Sequence, residues 1–236
     1  MTHLEIAIRQ RFASMKLADD AVTRHWLEYA LGTNERAAAV VGKLLEFVPT
    51  LAGLRFLDVG CGYGGVCIRA ALAGATAVGV DVDSGLLKTA QANLADHPGV
   101  SVEFLEKNIL EDAEPEASLG CFDIIVSDNV IEHVPSAERL ICSIARLLAP
   151  GGLLYMTVPN ARSAGQVLAD CHYQTFGMSL LDSEDAKAYL ASFDTGRPFG
   201  LVEYHDWAHY EATFRKYGLR PRTINAGRTS HPWPHF

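Results

Sequence analysis

Long apolar runs are missing from this chain. The longest stretch of small or apolar residues, Ala70–Val80, has eleven members, well short of the ~20 a membrane-spanning helix needs. No transmembrane segment is therefore expected. The opening MTHLEIAIRQRF mixes charges with short apolar steps and does not read as a secretory leader, which has an unbroken apolar centre. Paired cysteines are missing too. Five cysteines (Cys61, Cys67, Cys121, Cys142, Cys171) are scattered, and none has C-x-x-C spacing. That pattern excludes a zinc knuckle and a disulfide framework, and predicts free thiols in a reducing, cytoplasmic setting. Basic excess is absent: 20 Lys and Arg face 28 Asp and Glu, a formal charge of −8. A surface built to neutralise a phosphate backbone is not expected, so nucleic acid is an unlikely partner class. Repeats and low-complexity tracts are also absent.

What is present is a globular composition, 49% hydrophobic and 20% charged over 236 residues. That suits one mid-sized domain, or a core domain with an attachment. Residues 1–50 read as helices. Leu4, Ile8, Phe12 and Met15, then Trp26, Leu27, Ala30 and Leu31, then Val40, Val41, Leu44, Leu45 and Val48 recur at helical spacing. Thr33 or Asn34 is the expected cap of the last helix.

After Gly53 the rhythm becomes alternating strand and helix. Leu54–Val59 is a strand, followed by a glycine loop and a helix over Gly64–Ala73. Thr76–Val80 is a second strand, ending at Asp81. Asp83 or Ser84 caps a helix to Leu94. Val100–Leu105 is a third strand and 108–120 a polar loop. Phe122–Ser127 is a fourth strand, Ser136 opens a helix through Leu148, and the turn APGG leads to a fifth strand over Leu153–Val158. Strands alternating with crossover helices predict a Rossmann-like, doubly wound, mostly parallel α/β sheet with N-terminal helices. Residues 159–203 break the alternation and read as an inserted cap after strand five. In residues 204–236 a helix over His205–Tyr217 and a sixth strand over Leu219–Ile224 are expected, completing a core whose main part is 51–158. The tail HPWPHF, with two prolines, is no ordinary strand.

Chemistry concentrates where the first strand meets its helix, in Asp58-Val-Gly60-Cys61-Gly62-Tyr-Gly64-Gly65. Gly60, Gly62 and Gly65 satisfy the dinucleotide spacing G-x-G-x-x-G, with Asp81 at a plausible distance. On glycines alone, a nicotinamide-dependent oxidoreductase stays open. Asp58 argues otherwise. A carboxylate at this mouth repels a pyrophosphate but suits a ligand bearing an ammonium group. S-adenosylmethionine carries an α-ammonium and a sulfonium and has no phosphate.

The blocks FLDVGCGYGG, VGVDVDSGLL, FDIIVSDNVIEHV and LLAPGGLLYMTVPN, in this order over about residues 54–160, resemble the class I S-adenosylmethionine-dependent methyltransferases. The SDNVIEHV block is similar to that of ubiquinone-biosynthesis-type O-methyltransferases. The resemblance implies S-adenosylmethionine as cofactor and S-adenosylhomocysteine as product. It implies that Asp58, Gly60, Cys61 and Gly62 form the cofactor loop and that Asp81, with Val82 beside it, takes the ribose hydroxyls. Asn108 stands where the family usually has an aspartate against the adenine amine, with Ile109 next to it. Asn129, with Asp128 as a second candidate, falls near the methionine portion. Glu132-His133 falls near the transferred methyl, where a neutral imidazole takes a proton from an acceptor hydroxyl; His205 is the second catalytic candidate. Some relatives hold a divalent metal with Glu-x-x-Glu-His and a later histidine. Asn129 occupies the place of the first glutamate, leaving Glu132, His133 and a distant His205 or His209, so no metal is expected.

The acceptor pocket is expected between helices 1–50, with Trp26 and Tyr29, and the cap, rich in rings and imidazoles from His172 to Tyr210 and including Arg197. The expected function is in-line methyl transfer to a small-molecule acceptor, through a hydroxyl. N- or C-methylation, and RNA methylation suggested by Arg215, Lys216, Arg220, Arg222 and Arg228, are the alternatives, beside a non-catalytic binding protein. The family fold closes with a seventh, antiparallel strand, and no run after Ile224 suits it. A homodimer covering that edge is one expectation.

Overall fold

The computed structural model describes residues 1–17, 19–193, 199–200 and 204–224. Five strands form one parallel sheet: β1 (Arg55–Val59), β2 (Thr76–Asp81), β3 (Val102–Glu106), β4 (Phe122–Ser127) and β5 (Leu148–Met156), in the order β3-β2-β1-β4-β5. Helices α1 (His3–Ser14), α2 (Ala21–Leu31) and α3 (Thr33–Leu44) precede the sheet. Crossovers run through α4 (Gly65–Leu72), α5 (Ser84–Ala95), the short α6 (Pro115–Leu119) and α7 (Ala137–Leu147); α8 (Ala164–Leu168), α9 (Ser183–Ala191) and α10 (Trp207–Lys216) follow.

Side chains alternate across β1. Phe56 joins a core cluster with Val40, Leu44, Ile68 and Leu87, on the face covered by α3, α4 and α5. Leu57 and Val59 join a second cluster with Leu140, Ile144, Tyr210 and Phe214, on the face of α7 and α10. This is the period of two that a pleated strand imposes. The Rossmann-like expectation is met.

Several local expectations are corrected. No strand forms over 219–224. Gly218 turns with φ +76°, Leu219 bonds back to the Phe214 carbonyl and packs on the second cluster, and Pro221 has no N–H to give a ladder. Among the described residues, β5 is therefore an edge of the sheet. β5 itself starts at Leu148, which pairs with Phe122 before the register shifts to Ile124–Leu153, so the APGG residues bulge within the strand rather than precede it. α3 has no side-chain cap; Gly32 precedes it directly. Asn34 instead pairs its amide with Asn93 in both directions, at 3.0 and 3.1 Å, and Asn93 also donates to the Tyr63 carbonyl. Asp83 and Ser136 do cap α5 and α7.

The segment after β5 builds a small core of its own from Ala161, Tyr173, Met178, Ala186, Leu190 and Tyr204, with Trp26 of α2 packed against it. Trp26 donates its indole N–H to the His172 carbonyl at 2.9 Å. Phe176 and Phe193 stay exposed. Arg197, Arg228 and the HPWPHF tail lie outside the described residues.

One carboxylate ties α1 to α5. Asp96 accepts the backbone N–H groups of His3 and Leu4, both at 2.9 Å, and the His3 ring. Burial is the largest single influence and raises the carboxyl, but the Leu4 and His3 donors together outweigh it and pull Asp96 down to about 2. Asp96→Ala is expected to cost about 1–2 kcal/mol in urea unfolding, and to speed amide exchange in α1 while the sheet amides stay protected.

Candidate active site

The strand order reverses between β1 and β4, because their crossovers leave on opposite faces of the sheet. A crevice opens there beyond the carboxyl ends of the strands, where open α/β sheets bind ligands. The predicted residues Asp58, Gly60, Cys61 and Gly62 stand on one side of it and Asn129 on the other.

The glycine loop is a closed hydrogen-bonded unit. Gly60 and Cys61 both donate to the Val80 carbonyl, at 2.8 and 3.0 Å, and Gly64 donates to the Cys61 carbonyl at 2.8 Å. Gly62 donates to Asp81 Oδ2 at 2.9 Å. Four amides that would cradle a pyrophosphate are thus already engaged. Gly64 is left-handed at φ +73°, and a Cβ there would run into Phe104 and Ala90. Cys61 turns its thiol into the core beside Cys67.

Asp58 is 3% exposed, and its hydrogen-bond donor is the Cys67 thiol, 3.7 Å away. Burial pushes its carboxyl up to about 8, and the charges of Asp128 and Asp81 add to the rise. Three carboxylates thus share this end of the crevice, an environment hostile to phosphate and receptive to a cation.

At the end of β2, Asp81 accepts Gly62 N–H through one oxygen and Asp83 N–H through the other. Each oxygen keeps a further lone pair. Val82 beside it is 65% exposed, an open apolar side chain at the crevice. Asp83 pairs with Arg11 of α1 at 2.6 Å, bringing α1 up to this edge. Past β3, the side-chain oxygen Oδ1 of Asn108 accepts the Leu110 N–H at 3.1 Å, and Ile109 is buried in the second core cluster.

At the end of β4, Thr157 donates to Asp128 at 2.6 Å and accepts the Asn129 N–H at 2.8 Å. Asn129 has φ +56°, a conformation asparagine tolerates better than most. Its side-chain amide donates to Tyr29 Oη at 3.2 Å. The Arg36 guanidinium lies over the Tyr29 ring, 3.4 Å from its centre. The start of α3 packs on the loop itself, since a Cβ at Gly65 would meet Thr33, Asn34 and Ala37. Arg36, which the sequence reading passed over, is thereby a cation at the same crevice as the three carboxylates.

The two histidines named as catalytic candidates, His133 and His205, do not meet. His133, on a 3-10 turn over Ile131–His133, faces His172, with Nε2 to Nε2 at 3.0 Å and rings edge to face. Glu132 is fully buried, its Oε1 3.8 Å from His172 Nε2 and 4.0 Å from His133 Nε2. His205 lies elsewhere. Its ring stacks on His209 at 3.9 Å, and both line a hollow of about 180 Å³ with Ile131, Pro135 and Glu138. As partner to Glu132 and His133, His172 of the cap thus replaces the anticipated His205 or His209. Asn129, in place of the first glutamate, turns to Tyr29 and stays out of this group. Burial lowers the proton affinity of both His133 and His172.

A family profile described as a methyltransferase domain matches residues 22–223. The ubiquinone biosynthesis O-methyltransferase of Xanthomonas euvesicatoria is 30% identical over 219 residues, 90% of this chain and 82% of that protein. The protein of the same name from Maricaulis maris is 36% identical over 121 residues, 50% of this chain and 45% of its own length. Among solved structures, the magnesium protoporphyrin IX methyltransferase of Synechocystis with bound S-adenosylhomocysteine superposes with a TM-score of 0.59 at 19% identity, covering 88% of this chain and 81% of that one. An S-adenosylmethionine-dependent methyltransferase from Mesorhizobium loti gives 0.56 at 21% identity, covering 77% and 81%. These structures share the fold.

Asp58 has a consequence for stability. A carboxyl held near 8 when folded, against an ordinary 3.8, favours the fold fully below about pH 4 and loses that contribution as pH rises through 8. Ligand-free protein is expected to lose stability from pH 5 to 8 relative to Asp58→Asn, by at most ~1.4 kcal/mol per pH unit. Parallel denaturation curves for the two proteins would refute this.

Proposed function

The chain belongs to the methyltransferase-domain family and takes S-adenosylmethionine as its methyl donor, and on that premise we propose that it methylates a hydroxyl of a small-molecule acceptor. The observation that carries this reading is the pairing of two unlike ends at one crevice. Carboxylates and Arg36 gather at the β1 end, while an imidazole–carboxylate group stands just past Asn129.

On the cofactor side, Asp58 faces the α-ammonium and Arg36 takes the α-carboxylate, so both charges of the amino-acid end are met. Gly60, Cys61 and Gly62 supply the backbone wall. Asp81 takes the ribose hydroxyls with its remaining lone pairs. Val82, Asn108 and Ile109 form the adenine side, where Asn108 offers an amide rather than a charge. Asn129 lies along the methionine portion toward the sulfonium.

The reaction is one in-line displacement. An acceptor oxygen attacks the sulfonium methyl, the O–C bond forms as the S–C bond breaks, and S-adenosylhomocysteine leaves. The electrophile arrives already activated, so the protein contributes alignment, exclusion of water and handling of the hydroxyl proton. That last task falls to the group around His133. His205, in its separate hollow, serves as a wall on the acceptor side. The names of the curated relatives support oxygen as the methylated atom. The helices of residues 1–50 and the cap over 159–203 enclose the acceptor, with Trp26 joining them. A small molecule is favoured over RNA because Arg215 pairs with Glu211 and Lys216 with Glu138.

Two measurements test the proposal. Calorimetry with S-adenosylhomocysteine in buffers of different ionisation enthalpy is expected to show proton release approaching one at pH 7, as the ammonium returns Asp58 to its charged form. Asp58→Asn abolishes that release and weakens binding at least tenfold. Against a panel of small phenols and catechols with labelled methyl donor, His133→Ala is expected to lower kcat by about 10²–10⁴-fold. His205→Ala changes kcat by less than tenfold. Transfer to amines alone would refute the hydroxyl assignment.

A further inference from the structure

We infer that Tyr29 is a positioning residue for the amino-acid end of the cofactor, holding the Arg36 guanidinium on its ring and the Asn129 amide on its hydroxyl. The inference rests on the reading above, in which Arg36 takes the α-carboxylate and Asn129 lies along the methionine portion.

A short stretch of sequence sets this up. Neighbours on α2 fix the place of Tyr29 from both sides. Leu27, Ala30 and Leu31 pack with Leu4 and Ile8 of α1 and with Tyr63 of the glycine loop. Trp26, one turn before Tyr29, packs on the cap core and is bonded to the His172 carbonyl. The helix then ends at Gly32. A Cβ at Gly32 would stand 3.1 Å from Arg36 Nη1. The missing side chain therefore leaves the passage by which Arg36, in the first turn of α3, folds back onto Tyr29.

Each contact restrains a different group that faces the crevice. The guanidinium carbon is 3.4 Å from the centre of the Tyr29 ring. An edge-on approach at that distance would drive a nitrogen into the ring, so the guanidinium lies along the face. Its N–H groups then radiate parallel to the ring, the geometry that forks onto a carboxylate. Arg11 and Arg215 hold carboxylates of the chain itself, whereas Arg36 has no ion pair among the described residues. On the other side, Asn129 has its backbone N–H bonded to Thr157 and a φ of +56°, which fixes the base of its side chain. Tyr29 Oη accepts from Nδ2 at 3.2 Å and fixes the far end.

Packing alone makes no use of either contact. Leucine at this position lacks the negative face that holds a guanidinium, and phenylalanine lacks only the acceptor for Asn129. An arginine gives up much rotamer freedom when it binds a ligand. Arg36, already stacked, has lost that freedom beforehand, so more of the ion pair appears as affinity.

The test is calorimetric binding, to the full chain, of S-adenosylhomocysteine and of its decarboxylated analogue, which keeps the ammonium and lacks only the carboxylate. The wild type is expected to prefer S-adenosylhomocysteine roughly thirtyfold, and Arg36→Met to lose that preference. Tyr29→Leu is expected to lower the preference about tenfold while its affinity for the analogue stays near that of the wild type. Tyr29→Phe keeps the ring and with it the preference. Its remaining defect, S-adenosylhomocysteine binding weaker by about threefold, disappears when Asn129 is already alanine. The inference is overturned if Tyr29→Leu keeps the wild-type preference, or if it loses both ligands to the same extent, as a merely structural residue would. It is also overturned if Tyr29→Phe loses the preference as leucine does, or if its defect persists beside Asn129→Ala. A wild type that binds S-adenosylhomocysteine without preference sinks the Arg36 assignment, and one that binds neither ligand sinks the cofactor reading. In both cases the inference falls with the reading it rests on, before any change at Tyr29.

Discussion

The parallel pairing of β1 with β2 on one side and β4 on the other is the constraint from which the site follows. A strand paired this way sends its chain and its neighbour's chain to opposite faces, so their ends cannot be bridged by a short loop. A crevice is left open at the carboxyl edge. The first chain segment out of it is the glycine loop, and the first out of β4 is Asp128-Asn129. Neither could reach the other in an antiparallel arrangement of the same strands. The two buried clusters, one under each face, hold the edge in place.

Electrostatics then decides what the crevice takes. Rossmann-like loops commonly receive phosphate with free amides and a helix dipole. Here Val80 and Asp81 engage those amides, and Asp58 adds a buried carboxyl with two acidic neighbours. The loop has therefore become a rigid wall whose polarity comes from side chains rather than from its backbone. A phosphate-free ligand carrying a positive charge matches that wall, and Arg36 over the Tyr29 ring adds a cation at its far side. The cost is visible at Asp58 itself, which burial holds far above its ordinary range.

Much of this was legible in the residues. Apolar runs of five or six, each ending at a glycine or an acid, located β1, β2, β3 and β4. Asp83 and Ser136 announced their helices, because a capping oxygen acts within three residues of itself. Legibility failed where a side chain's partner lies far along the chain. Asn34 had the local chemistry of a cap, but Asn93, 59 residues away, satisfied it instead. Leu219–Ile224 had the composition of a strand, yet Pro221 and the backward bond of Leu219 stopped it. Arg36 lay on an unremarkable helical stretch, and only the packing of α3 against the loop gives it a role. His172 was one ring among a dozen in the cap, and nothing local distinguished it from His205.

Asp170 explains why His172, of those rings, arrives at Glu132. This carboxylate is fully buried. It accepts the N–H groups of His172, Tyr173 and Thr175 at 2.9, 2.8 and 2.8 Å. It thereby ties the backbone into a tight turn and sets the direction in which the next two side chains leave it. Tyr173 goes into the small core of the cap, and His172 goes across to His133. Trp26 fastens the same turn from outside through the His172 carbonyl. The N-terminal helices, the cap and the β4 loop therefore converge on one imidazole. The turn that Asp170 and Trp26 hold is thus what sets His172 beside His133 and the buried Glu132.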